Sequence, residues 1–257
     1  MTVTTTVDYE QALRSAALKL TGNYPTLTEV QNVRNATDKK TAYETLIDDY
    51  ISRPTFAAAM VDQANVAEAL GAEIAGWKVA IHPEFGAIAA PLLSSALQAN
   101  PAALAFIDGV LVEVEIAVKL GRDLPASDYQ RRDIVAAIDR MCVGVELLKS
   151  RLSPELRTSF LAFLSDNLGN AGYVAGAALP WTDPDLAALR CRLSIDDDVL
   201  HEAPCVHAQG DVLAPIIAWL ARGDRSMGGL KAGQIITTGS LCGGIPLPRR
   251  GRLRAAV

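Results

Sequence analysis

Two glutamates, Glu113 and Glu115, interrupt an otherwise apolar run from Val110 to Val118. Side chains alternate faces along a strand, so the two carboxylates share one face while Val112, Val114, Ile116 and Val118 fill the other. An isolated carboxylate is costly to bury, and a second one beside it adds like-charge repulsion. That face must therefore look at solvent or at a cation, and a hard divalent ion held by oxygen ligands would satisfy it. An amphipathic strand of an antiparallel sheet, with Lys119 reaching Glu115 across one pleat, also explains the alternation and is the commoner case on spacing alone. Glu146 is a third unusual carboxylate, flanked by apolar residues in Gly144-Val145-Glu146-Leu147-Leu148. Three carboxylates from two strands would supply one face of an octahedral Mg²⁺ or Mn²⁺ site. An edge-strand glutamate paired with Lys149 or Arg151 is the plainer alternative. Lys78, entering the short run Val79-Ala80-Ile81, would need a carboxylate or an anionic ligand if buried.

The elements that must carry these residues change character near Gly76. Before it, apolar residues recur at helical spacing over Asp8–Leu20, Lys40–Ile51 and Thr55–Ala72, with Thr55 as a cap after Pro54. After it, short strands alternate with turns rich in Gly, Pro and Asp. Strands are expected over Trp77–Ile81, the glutamate run, Val143–Leu148, Gly172–Ala178, Leu189–Ile195, Val199–Glu202 and Gln234–Thr238. Helices are expected over Asp128–Arg140, Pro154–Asp166 and Pro215–Arg222. Helices first and a mostly β remainder imply an α+β fold, divided into an N-terminal helical region (1–75) and a β-rich domain (76–257).

Composition narrows the function classes. The net charge of −5 over 257 residues gives no electrostatic reason to bind nucleic acid or an anionic membrane. The basic run Arg249-Arg250-Gly251-Arg252-Leu253-Arg254 is expected to be a solvated tail. Cys142, Cys191, Cys205 and Cys242 form no C-x-x-C pair, which argues against a zinc ribbon or disulfide framework and fits thiols in a reducing cytoplasm. The N-terminus lacks the pattern of an export signal, and no apolar stretch is long enough to span a bilayer. There is no G-x-S-x-G elbow, P-loop or G-x-G-x-x-G, so serine-hydrolase and nucleotide-cofactor chemistry have no support.

Taken together, Gly76-Trp77-Lys78-Val79, Val112-Glu113-Val114-Glu115-Ile116-Ala117 and Val145-Glu146 resemble the fumarylacetoacetate hydrolase superfamily. The branch they resemble most is that of 2-oxopent-4-enoate hydratases and 4-oxalocrotonate decarboxylases. Asp166-Asn167 followed by Gly172-Tyr173-Val174-Ala175-Gly176 agrees, as do Trp219-Leu220-Ala221 and the stretch Gly229 to Ser240, and the resemblance covers Gly76 to Pro246. It implies a mixed β-roll core, a dimer or an assembly of dimers, and Mg²⁺ or Mn²⁺ bound by Glu113, Glu115 and Glu146. It also implies Lys78 beside a small 2-oxo acid, and Thr238, Gly239 and Ser240 at the acid's carboxylate end. Asp166 and Asn167 would support the site from behind. The implied reaction is hydration or decarboxylation of a 2-hydroxydienoic acid through a metal-stabilised enolate, as in aromatic catabolism.

Some positions depart from the pattern. Relatives read D-N-x-S-S-G-G where this chain has Gly169 and Asn170 at the serine positions. The loop after Lys78 is short and brings His82 close in sequence, where it would serve as a base, although a loop histidine without a duty is the commoner case. The chain also ends soon after Pro246-Leu247-Pro248, which would leave a sheet edge unpaired. Two other readings follow from the resemblance. A C–C hydrolase of acylpyruvates would use the same metal site but needs a histidine in the helical first third, which has none. A non-catalytic partner subunit would fit the serine replacements and the short C-terminus.

Overall fold

The structure, a computed structural model, describes residues 8–21, 25, 27–52, 56–154, 156, 159–223 and 229–257. By compactness the chain divides into two units, Met1–Met60 and Val61–Val257.

The first unit is helical, with α1 (Tyr9–Thr21), α2 (Leu27–Asn35) and α3 (Lys39–Ser52). Asp8 caps α1 by accepting the Glu10 and Gln11 amides, and Asp38 does the same for α3 through Thr41. Leu13, Val30 and Val33 form the small core, with Tyr9, Tyr43, Leu46 and Ile47 packed around them. The sequence reading has no counterpart for α2. Its apolar residues are only Leu27, Val30 and Val33, with Leu27 exposed, and so short a series is too little to reveal a period. The helix α4 (Phe56–Ala69) ends three residues before the expected Ala72, and its proposed cap, Thr55, lies outside the described residues.

The second unit is built on a mixed sheet in the order β2 (Gly86–Leu93), β1 (Ile74–His82), β9 (Ile235–Ser240), β4 (Leu111–Leu120), β5 (Ile138–Leu148), β6 (Asn170–Ala175) and β3 (Leu97–Ala99). The pairs β1–β9 and β3–β6 are parallel, and the others antiparallel. A short turn joins β2 to β3, yet the two strands lie at opposite ends of this order, so the sheet must curl towards closure. Leu92 on β2 accordingly meets Ala117, Cys142 and Tyr173 from β4, β5 and β6 in one buried cluster. A smaller sheet, β11 (Leu253–Ala256), β7 (Arg190–Ile195) and β8 (Asp198–Pro204), sits apart from the main one in hydrogen bonding. The helix α7 (Ala214–Arg222) packs on β1 and β2, and its end is tied to the β1–β2 hairpin by Arg222, which donates to the carbonyls of Phe85 (2.6 Å) and Ala87 (2.9 Å).

Several expectations are corrected. The helix expected over Asp128–Arg140 is only the short α5 (Arg131–Val135), opened by a reciprocal Gln130–Asp133 capping box. From Ile138 the chain pairs with β4, residue for residue from Arg140 after a bulge at Asp139, and that ladder overrides the local helical pattern. The helix expected over Pro154–Asp166 is α6 (Phe160–Ser165), capped by Ser159. The strand β2 went unforeseen because nearly all of Gly-Ala-Ile-Ala-Ala-Pro-Leu-Leu is buried, which erases alternation.

The C-terminus is not a loose tail. Ile245–Pro246 (β10) pairs with β4, and β11 pairs with β7 along its full length. Arg249 bridges Asp196 and Asp198, and the Arg252 amide donates to Asp196. The basic run thus closes over the Asp196–Asp198 turn, and its end runs into the edge strand β11 on β7. Among the described residues, no helix is long and apolar enough to cross a membrane.

Candidate metal centre

Strand register brings the three glutamates together. Glu113 lies directly opposite Glu146 across the β4–β5 ladder, and Glu115 lies opposite Gly144. Residues paired in this way share a face, and one oxygen from each of Glu113, Glu115 and Glu146 falls within 4.8 Å of the others. The opposite face of β4 is also buried, through Val112, Val114, Ile116 and Val118. The amphipathic-strand alternative therefore fails: Glu115 is 2% exposed and Glu146 is fully buried.

Lys78, from the neighbouring part of the curled sheet, meets this cluster. Its Nζ lies 2.6 Å from Glu146 Oε1 and donates to the Leu168 carbonyl (3.1 Å). Asn170 Nδ2 donates to the same Glu146 oxygen at 2.7 Å. The other oxygen, Glu146 Oε2, is buried without a hydrogen-bond partner. Thr237 donates its hydroxyl to Glu115 Oε2.

The electrostatics expose a shortage of positive charge. Burial, and after it the charge of Glu146, pushes the Glu115 carboxyl up to about 8 against the pull of the Thr237 hydrogen bond. Burial and Glu146 likewise push Glu113 up to about 7, with Lys78 opposing. Three carboxylates face one ammonium, and one buried carboxylate oxygen is unpaired. An all-oxygen donor set with excess negative charge fits a hard dication such as Mg²⁺, Mn²⁺ or Ca²⁺ and does not select among them.

Gly144 shapes the floor of the site. A Cβ there would lie 1.7 Å from the Tyr173 hydroxyl, so the missing side chain is what lets that phenol cross β5. Tyr173 is fully buried, and its ionisation is lifted well above the ordinary phenol range, first by burial and next by Glu115.

The segment Asp166–Asn170 delivers two of the contacts. Asn167, Leu168 and Gly169 all have positive φ (58°, 50° and 67°), a tight turn that aims the Leu168 carbonyl at Lys78. Asp166 anchors the turn from behind through Arg151 (2.7 Å), and Asn167 donates to the Pro91 carbonyl (3.0 Å). Asn170 stands at one of the two positions where the related pattern has serine, and it touches a cluster carboxylate directly. Gly169 permits the turn. The departure from the pattern thus sits inside the site.

Thr238, Gly239 and Ser240 end β9 beside the cluster, with Ser240 in register with Glu115. The Thr238 hydroxyl is buried without a partner. The Thr238 carbonyl accepts from His207 Nε2 (2.9 Å), while His207 Nδ1 accepts the Gln209 amide. Burial lowers the His207 pKa, which keeps the ring neutral for this brace. His82 is engaged elsewhere: its ring stacks on Phe160 at 3.9 Å, and Nδ1 accepts the Glu84 and Phe85 amides in the hairpin turn.

Asn170, Thr237, Tyr173 and His207 were not assigned roles from sequence. Thr237 carried a usable signal, since a polar residue alternating with Ile236 belongs on the same face as the chemistry. The other three depend on tertiary placement.

A half-closed mixed sheet with a lysine and three converging glutamates on its inner face defines a class of oxygen-ligand metal sites built on strands. The family model for the C-terminal domain of fumarylacetoacetate hydrolase matches residues 78–255, and the chain belongs to that family. It is 31% identical over 161 residues to the 2-keto-4-pentenoate hydratase of Burkholderia vietnamiensis, and 32% identical over 161 residues to that of Paraburkholderia phymatum. Each alignment covers 62% of this chain and 60% of the relative's length. The structure of 4-oxalocrotonate decarboxylase from Pseudomonas putida, complexed with magnesium and adipate, superposes with a TM-score of 0.64 at 19% identity, covering 98% of this chain and 95% of that one. That likeness establishes the α+β fold with its curled sheet.

Proposed function

We propose that the protein is a divalent-metal-dependent lyase of small 2-oxo acids, a hydratase or decarboxylase of 2-hydroxydienoic acids. The observation that carries this reading is the convergence of Glu113, Glu115 and Glu146 with Lys78 paired to Glu146. The family membership and the hydratase relatives support it. Glu113, Glu115 and Glu146 would hold Mg²⁺ or Mn²⁺. A bound dication would supply Lewis acidity towards the carboxylate and keto oxygens of a 2-oxo acid.

The remaining work falls to the chain's own side chains. Lys78 is held between Glu146 and the Leu168 carbonyl, which fixes its ammonium as a hydrogen-bond donor to an oxygen that gains negative charge as the neighbouring bond is made or broken. Asn170 and Thr237 orient Glu146 and Glu115. The unpaired Thr238 hydroxyl and the amides near Gly239 and Ser240 would receive the substrate carboxylate. Tyr173, fully buried and crossing β5 at Gly144, closes the floor of the site.

The partner-subunit reading has less to rest on, because Asn170 contacts the cluster and the residues of β10 and β11 are themselves paired to strands. The test is turnover of 2-hydroxypenta-2,4-dienoate and of 4-oxalocrotonate, each with Mg²⁺, with Mn²⁺ and with chelator. Metal-dependent loss of one substrate's absorbance is expected. Failure on both, or turnover indifferent to chelator, overturns the proposal.

A further inference from the structure

The smaller sheet gathers groups that the carboxylate centre does not use. On β7 and β8, Cys191 pairs with Ala203 and Leu193 with His201, so Cys191 and His201 lie on one face of the hairpin, a single pair apart. The turn after β9 brings Cys242 to the same place. One ligand atom from each of Cys191, His201 and Cys242 lies within 4.8 Å of the other two. Cys191 is fully buried, the other two are half-buried, and His201 Nε2 is buried with no hydrogen-bond partner. A buried ring nitrogen left unpaired is costly, and no group among the described residues repays it.

We propose that Cys191, His201 and Cys242 form a second metal site, for a thiophilic dication of the zinc type. Two thiolates and one imidazole are soft and borderline donors that favour Zn²⁺ over Mg²⁺ or Ca²⁺, the reverse of the glutamate cluster. Two thiolates also neutralise a dication, which suits a mostly apolar setting. Atoms bound to one tetrahedral zinc lie roughly 3.5–4 Å apart, so the present spacing needs only small side-chain adjustments to close on an ion. Three protein donors leave one position for water.

The protonation state agrees with the geometry. The Cys242 thiol is drawn down to about 6, chiefly by its hydrogen bond with Cys191, whose own thiol is pushed up correspondingly. A Cys191–Cys242 disulfide would use both sulfurs and leave His201 Nε2 unpaired, whereas a metal satisfies all three groups. The ion would tie β7 and β8 to the turn that follows Thr238-Gly239-Ser240, and so act as a structural clamp on the end of β9. None of the glutamates takes part.

The test is cobalt titration of the reduced, metal-stripped full-length protein. The expected result is charge-transfer absorption from thiolate to cobalt that saturates at one Co²⁺ per chain beyond any held by the glutamates, is displaced by Zn²⁺ and is unchanged in Glu115→Gln. The band should be lost in Cys242→Ser and in His201→Gln, each shown to be folded by circular dichroism. Two substitutions at half-buried positions guard against misfolding at Cys191. The proposal is overturned if the folded, reduced protein gives no charge-transfer band, or if both variants keep it. It is also overturned if Cys191 and Cys242 form a disulfide while the reduced protein takes up no cobalt.

Discussion

Replacing Glu115 by glutamine should stabilise the metal-free protein while removing most of its response to metal. Glu115 is 2% exposed and its carboxyl is pushed up to about 8, against an ordinary value of 4.5. In the unfolded chain the group is ionised at pH 7, whereas in the fold it is mostly protonated, so folding takes up a proton. That uptake costs about 3 kcal/mol at pH 7. The sign follows from the raised value. The metal-free protein is favoured below about pH 4.5, loses stability as pH rises towards 8, and levels off beyond. Glutamine keeps the shape and can still accept the Thr237 hydroxyl, but it carries no titrating proton.

In chelator, Glu115→Gln should therefore match the parent near pH 4.5 and exceed it by about 3 kcal/mol at pH 7, or roughly 6–12 °C in Tm for a chain of this size. With metal the gap closes. The parent should gain about 3 kcal/mol at a hundredfold excess of metal over its Kd, while the variant, short of one ligand, gains little. Thermal unfolding monitored by circular dichroism, with and without Mg²⁺ across pH 5–9, reads both effects. A variant less stable than the parent in chelator at pH 7, or one with an undiminished metal response, would refute the reasoning.

Other outcomes follow from the same contacts. Lys78→Met leaves Glu146 buried without its cation and should cost about 3–5 kcal/mol in denaturant unfolding, with turnover abolished; a variant as stable and active as the parent would contradict the pairing. Asn170→Ala removes a donor to Glu146 and should weaken metal binding about tenfold or more by calorimetry, leaving the fold intact. Gly144→Ala forces a methyl into the Tyr173 hydroxyl and should destabilise the protein by about 1–3 kcal/mol. Because Glu113 and Glu115 sit near about 7 and about 8, metal must displace protons below those values. Its affinity should therefore rise with pH and plateau above 8, and calorimetry at pH 6.5 in buffers of different ionisation enthalpy should show proton release.

Much of the centre could be read from residue order. Alternation put Glu113 and Glu115 on one face, and the apolar surroundings of Glu146 and the strand position of Lys78 marked them as costly to bury. What order alone could not supply was register. Glu146 faces Glu113 because β5 takes over at Ile138, within the last three residues of what the local pattern offers as helix, and pairs with β4. The same holds for Asn170, which reads as a lost serine until the left-handed turn over Asn167–Gly169 swings it onto Glu146. Strand β2 and helix α2 escaped for opposite reasons, one buried on both faces and the other with only two buried residues. The cysteines are a sharper case: their wide spacing argued against a zinc ribbon and was silent on distant partners, and β7, β8 and the turn after β9 fold two of them beside His201. Spacing in sequence tests only local ligand pairs, and these ligands are brought together by a hairpin and a distant turn.

The central claim, a divalent cation held by three strand glutamates and open to a 2-oxo acid, is tested most directly by electron paramagnetic resonance of Mn²⁺ added to the metal-stripped protein, before and after pyruvate. The account predicts one tightly bound Mn²⁺ at this centre, a spectrum perturbed by pyruvate, and loss of both features in Glu113→Gln, Glu115→Gln and Glu146→Gln. Mn²⁺ bound equally well by all three variants, or a bound spectrum that pyruvate leaves unchanged, would contradict it.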